Sequence, residues 1–246
     1  YKTLMADYFD LFDTLRNFRH AEYIMPVINV FRENNTVYAI YKYIKTISYG
    51  DYLSHNGGEF TWPQVKKLFM PLFTTLTYLH SNGFVHRGIS PESIRVNAKG
   101  QLLLWGFGTV ALFSKDSVIE PNLSAGYSAP EQYSAGLWQG EWTDVYSVAA
   151  VLYKSLTGTL PADAESRKEV DHLCPPEELN FNISSEVSDA ILVSVSVWLV
   201  LHHLACTDDA TLVNVPEHCQ SILRVSHHIC FQHLFNPCQL CSVPLD

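Results

Sequence analysis

No cysteine occurs before Cys174, so no disulfide staples the first 173 residues, and a reducing, cytoplasmic setting is expected. No glycine follows Gly158, and residues 199–246 hold a single basic residue, Arg224, beside five of the six cysteines and six of the eleven histidines. Positive charge is scarce throughout: 16 Lys and Arg against 25 Asp and Glu leave a formal net charge of −9. Such a chain lacks the cationic face that nucleic acid or an anionic membrane requires, so the expected partner is another protein. The opening Tyr1-Lys2-Thr3-Leu4 lacks the basic-then-apolar order of a leader, and a start without Met is expected of a fragment. The uncharged run Ala190 to Cys206 is short for a membrane span and is diluted by Ser194, Ser196, His202 and His203, which favours a buried helix. No Gly-x-Gly-x-x-Gly loop is present to cradle phosphates.

What is present suits a folded protein, with 47% hydrophobic and 17% charged residues. Leu4, Tyr8, Leu11, Phe12, Leu15 and Phe18 recur at steps of three or four, which predicts an amphipathic helix. The β-branched and aromatic runs Val27 to Phe31 and Thr36 to Tyr43, split by the polar Arg32-Glu33-Asn34-Asn35, predict a hairpin. Trp62 to His80 has helical periodicity, with Thr61 and Gln64 spaced as a capping box and Pro63 in the first turn. Ile94 to Val96 and Leu102 to Leu104 predict short strands around Asn97-Ala98-Lys99-Gly100. Thr143 to Thr157 predicts an apolar helix ended by Gly158, and residues 184–198 another.

Four motifs follow one another in this frame. Phe84-Val85-His86-Arg87-Gly88-Ile89-Ser90-Pro91-Glu92-Ser93 comes first, then Trp105-Gly106-Phe107-Gly108, then Ala129-Pro130-Glu131, then Trp142-Thr143-Asp144-Val145-Tyr146-Ser147. Taken singly, each is as well explained by a polar loop; in this order they resemble eukaryotic-like Ser/Thr protein kinases of the bacterial type. The resemblance covers residues 4 to about 197. It implies an α+β, protein-kinase-like two-lobe fold, with residues 1–44 a truncated small β-rich N-lobe and 45–197 a mainly α-helical C-lobe. Residues 198–246 form an atypical tail that lacks the expected Pro- and Arg-containing turn, and out-of-frame translation is one reading of it.

In such kinases the catalytic loop reads His-Arg-Asp with an Asn five residues further on, and the metal loop reads Asp-Phe-Gly. By this resemblance Gly88 stands where the base Asp belongs, Ser93 at the Asn, Gly106 at the metal-binding Asp, and Ser90 at a Lys that contacts the transferred phosphate. The strand with the nucleotide Lys is absent too, and Leu11 falls where its Glu partner is expected. The scaffold positions remain. Leu15, His86 and Phe107 would stack as an apolar spine, and Asp144 would hold the backbone of the loop around Arg87. Gly108, Ala129, Pro130 and Glu131 complete the pattern, although residues 198–207 offer no Arg to Glu131.

The resemblance therefore implies a degenerate pseudokinase, a binding or scaffolding module in signalling with no intact catalytic residue and no need of ATP or Mg. Two alternatives stand beside it. One is an active Ser/Thr kinase that uses ATP and Mg through non-standard residues; the other is a truncated gene product without function. In the tail, Cys230, His233, Cys238 and Cys241 have the residue types of a zinc site. Only four residues separate the two pairs and no glycine turn lies among them, so no metal is expected there.

Overall fold

The computed structural model describes residues 2–18, 22–107, 123–133, 137 and 139–196. Gly108, the Cys230, His233, Cys238 and Cys241 set and the rest of the 198–246 tail lie outside the described residues. The first helix, α1 (Lys2–Asn17), turns Phe12 and Leu15 inward. They pack on the hairpin of β1 (Val27–Glu33) and β2 (Thr36–Tyr41), where the Phe12 ring meets Tyr41 edge-on at 6.1 Å. The hairpin turns through Asn34 and Asn35, both at positive φ (49° and 52°), a pair of angles that matches the right-handed twist of the strands. The second strand stops at Tyr41, two residues short of the expected Tyr43, because the Lys42 N–H leaves the ladder for the Pro26 carbonyl at 2.8 Å.

The helical lobe follows. Its elements are β3 (Thr46–Ser48), α2 (Tyr49–His55), α3 (Trp62–Ser81), β4 (Ile94–Asn97), β5 (Leu102–Leu104), α4 (Glu141–Thr157), α5 (Pro176–Leu179) and α6 (Ser185–Ser194). Among the described residues β3, β4 and β5 form a second antiparallel sheet in that order. The segment at Tyr23–Met25 joins the two lobes by lying along β5: Leu104 donates to the Tyr23 carbonyl at 2.8 Å and Met25 to the Leu104 carbonyl at 2.9 Å. One apolar core runs from Phe12 and Val30 through the α3 stripe Val65, Phe69, Leu72, Leu76 and Leu79 to Val151 and Leu152 of α4.

Capping sets most boundaries. Gln64 reaches back to the Thr61 N–H at 2.8 Å and starts α3 as its spacing predicts. The helix α4 begins at Glu141, two residues before the expected start, because the Gly140 N–H is satisfied by the Thr143 hydroxyl at 3.2 Å. It ends at Gly158 in a left-handed conformation (φ 66°), which glycine adopts without cost. The last described helix stops at Ser194, four residues before the expected 198. Neither α2 nor β3 is foreshadowed by periodicity: α2 is held by Ser48, which caps the Asp51 N–H at 3.0 Å, and by the Tyr49 hydroxyl, 2.7 Å from Ser155 on α4. No helix among the described residues is long and apolar enough to cross a membrane.

Because Leu79 is wholly buried in the shared core, Leu79→Ala is expected to cost about 2–5 kcal/mol, whereas exposed Val193→Ala should stay within about 0.5 kcal/mol. Urea unfolding of the two variants at constant m-value measures both.

Candidate functional site

The four motifs converge on one buried carboxylate. Asp144, in the first turn of α4 and wholly buried, accepts the backbone N–H of His86 on Oδ2 at 2.8 Å and that of Arg87 on Oδ1 at 2.7 Å. Its Oδ2 also lies 2.8 Å from His80 Nε2; an ionised carboxylate only accepts, so the imidazole N–H donates. Burial alone would raise the Asp144 pKa. Its bonds to His80 and His86 outweigh burial and hold it below the usual carboxylate value. The two bonds also hold Arg87 at φ 60°, a conformation that costs a non-glycine residue free energy.

His86 carries the connection onward. Its Nε2 lies 3.0 Å from the Trp105 carbonyl, which can only accept, so Nε2 bears the proton and Nδ1 accepts the Gly88 N–H at 3.2 Å. Both nitrogens are satisfied by a neutral ring. Burial pushes its pKa below the ordinary histidine value, against the opposing pull of Asp144 and the Trp105 carbonyl. The ring also packs on Phe107, with centroids 4.4 Å apart, and Leu15 belongs to the same core. On the far side, Gln132 of a short 3₁₀ turn (Pro130–Tyr133) donates from Nε2 to the Arg87 carbonyl at 2.6 Å and accepts the Ala129 N–H at 2.9 Å.

The degenerate positions lie together within this frame. Gly106 has φ 91°, and a Cβ added to it would sit 3.8 Å from Ser93 Cβ, so the two positions face each other at ordinary contact distance. Neither supplies a ligand. The Ser93 hydroxyl is turned back on its own loop, accepting the Ser90 N–H at 2.8 Å and donating to the Ser90 carbonyl at 3.1 Å. The Ser90 hydroxyl in turn faces the Ser93 N–H at 3.4 Å. Among the described residues no three His, Cys, Asp or Glu side chains gather anywhere to hold a metal. A serine locked in a turn beside two glycines does not suit Mg²⁺, which binds through hard carboxylate oxygens.

Beside the cleft lies a groove of about 660 Å³, bounded by α2 and the glycines after it, by Ser90-Pro91-Glu92, and by Ser124, Ala125 and Tyr127. Asp51, Glu59 and Glu92 expose carboxylates to it. Its one described cation, Lys154, is bound to the Gly158 carbonyl. Burial first, then Glu92, pushes the Tyr127 phenol up to about 12.

Over residues 8–223 the sequence matches the protein kinase domain family, and the chain belongs to that family. It is similar to the serine/threonine protein kinase OSK3 of Oryza sativa subsp. indica, 31% identical over 157 residues, covering 62% of this chain and 30% of the relative. It is also similar to a probable serine/threonine-protein kinase 2 of Plasmodium falciparum (isolate K1 / Thailand), 26% identical over 218 residues, covering 87% of this chain and 40% of the relative. The chain thus spans roughly a third of the length of these curated relatives. The solved structure described as PpkA-294 apo form has a TM-score of 0.66 at 22% identity, covering 80% of this chain and 69% of that one, and shares the fold. The two-lobe α+β architecture is the protein-kinase-like fold, with a small antiparallel N-lobe sheet and a helical C-lobe.

Periodicity gave no warning of His80, Gln132 or Arg167. Each pairs with residues 20 or more positions away: His80 with Asp144, Gln132 with Arg87, and Arg167 with the Tyr146 hydroxyl and the Val195 carbonyl. Glu131, to which residues 198–207 offer no Arg, has the Thr143 hydroxyl as a hydrogen-bond partner.

Removing the Asp144 carboxylate takes the acceptor from two backbone N–H groups and from the His80 Nε2 proton. Asp144→Ala is expected to cost about 3–5 kcal/mol, read as a lowered urea midpoint. The unfolded chain binds a proton at His86 that the folded chain excludes, so this histidine costs stability as pH falls below 6.5. A melting temperature that declines from pH 6.5 to 5 in parallel with His86 protonation, followed by NMR, checks the sign.

Proposed function

We propose that this chain is a catalytically silent protein-kinase domain, a pseudokinase, that acts by holding another protein rather than by transferring phosphate. The observation that carries this reading is the facing pair Ser93 and Gly106, with the Ser93 hydroxyl spent on Ser90. Phosphoryl transfer relies on side chains that place Mg²⁺ and orient the attacking hydroxyl. Loss of a general base alone costs roughly 10²–10⁴ in rate, and loss of the metal ligands removes the main electrostatic stabilisation as well. Glu92 is turned away from this gap: its Oε1 lies on the α2 side, 3.1 Å from where a Gly50 Cβ would be.

Everything that holds the loop in place works without those groups, because Asp144, His86 and Gln132 bond to backbone atoms of Arg87, Gly88 and Trp105. A rigid groove is what remains useful. Its exposed carboxylates, with Lys154 tied down, favour a cationic stretch of a partner protein over an acidic one.

Incubating the full chain with γ-labelled ATP and Mg²⁺ or Mn²⁺ should give no incorporation above a heat-denatured control. Metal-dependent incorporation would overturn the reading. In parallel, a fluorescent Arg-Ser peptide should bind in a salt-sensitive way and weaken several-fold when Asp51→Asn is combined with Glu92→Gln. Equal binding of a Glu-Ser peptide would remove the groove from consideration.

A further inference from the structure

Glu131 is a buried carboxylate with no cation beside it among the described residues. Its exposure is 0%; Oε1 accepts the Thr143 hydroxyl at 2.5 Å, no bond of normal geometry reaches Oε2 among the described residues, and the Trp142 indole and the residue's own backbone are the other donors that favour its charged form. No Lys, Arg or His forms an ion pair with it among the described residues. The titratable groups facing it stand on α4, the Asp144 carboxylate and the Tyr146 phenol, and the former repels a second negative charge. The Trp142 indole, also on α4, is an uncharged N–H donor that favours the ionised form of Glu131. Arg167 reaches the same Tyr146 but spends its guanidinium on Asp171, the Tyr146 hydroxyl and the Val195 carbonyl.

A lone carboxyl in such a place is cheaper to keep neutral than charged. Burial pushes its pKa up, Asp144 adds to that, and the Thr143 hydroxyl and Trp142 indole pull against it, leaving it at about 7.

We propose that Glu131 is a proton-operated latch: neutral, it lets the Pro130–Tyr133 turn seat on α4, and ionised, it drives that turn off. The turn bears on the cleft through Gln132, which clamps the Arg87 carbonyl and the Ala129 N–H. The same stretch of chain supplies Ser124, Ala125 and Tyr127 to the groove. Ionisation of Glu131 therefore loosens both the Arg87 loop and the groove wall. This holds whether or not the cleft transfers phosphate.

The folded pKa lies above the ordinary 4.5, so the stabilisation is complete below pH 4.5, is lost as pH rises toward 7, and changes little above that. Because His86 titrates in the opposite sense, the informative quantity is the difference between the wild-type chain and Glu131→Gln, a neutral isostere of the protonated acid.

Hydrogen exchange of the Ala129 and Gln132 amides, corrected for intrinsic rates, reads the latch directly in the full chain. From pH 6 to pH 8 the wild-type protection should fall about tenfold more than that of E131Q, given a pKa of about 7. E131Q should also melt above wild type at pH 8. Equal pH dependence in the two proteins, or an E131Q chain less protected at pH 8, would overturn the latch. A wild-type measurement stands apart from the variant: infrared spectra at pH 6 should show the carbonyl stretch of a buried protonated carboxyl, and its absence would refute the proposal even if E131Q fails to fold.

Discussion

Asp144 is the constraint on which the rest of the cleft depends. One carboxylate at the positive end of α4 accepts two successive backbone N–H groups and an imidazole N–H, and so fixes the loop at Arg87 in a strained conformation. From that loop the connection passes through His86 to Trp105 and Phe107, and through Gln132 to the turn at Pro130–Tyr133. A charge this deep is tolerable because every described bond it makes is to a donor. Glu131, thirteen positions earlier in the chain and equally buried, meets fewer and weaker donors, and burial pushes its pKa up to about 7. The two acids show how one core treats a carboxyl according to the donors it meets.

The frame and the chemistry separate cleanly in this protein kinase domain. The interactions that shape the loop go to backbone atoms or between scaffold side chains, so they are indifferent to what stands at positions 88, 93 and 106. By the proposed reading those are the positions of the ligand atoms; two are glycines, and the third bonds to its own turn. If the cleft is silent as proposed, it keeps its shape without its charge, and the groove bounded by Asp51, Glu59 and Glu92 rests on the same support.

Much of this was legible in the sequence where local physics decides. The apolar stripe from Val65 to Leu79, the Asn34-Asn35 turn and Gly158 after an apolar helix each announce their element, because periodicity and positive φ are properties of neighbouring residues. The ordered motifs likewise singled out Gly88, Ser93 and Gly106, and the structure sets Ser93 and Gly106 face to face. What escaped depends on distant partners. Tyr49 and Ser155 are 106 positions apart, and their bond helps fix α2 in a stretch with no helical stripe. His80 looks like one more polar residue at the end of α3 until Asp144 is placed beside it, and nothing near Glu131 reveals that its hydroxyl partner is Thr143.

The most direct measurement of a retained frame without its ligands is manganese binding, read by electron paramagnetic resonance, on the wild-type chain and on Ser93→Asn combined with Gly106→Asp. The Gly106 position has room for a Cβ; its φ of 91° strains any side chain, Asp less than most. The expected result is free-ion spectra for the wild type and a bound signal for the variant at millimolar metal. Equal binding by both proteins, or a folded variant that binds none, would contradict a cleft that has kept its geometry and lost only its ligands.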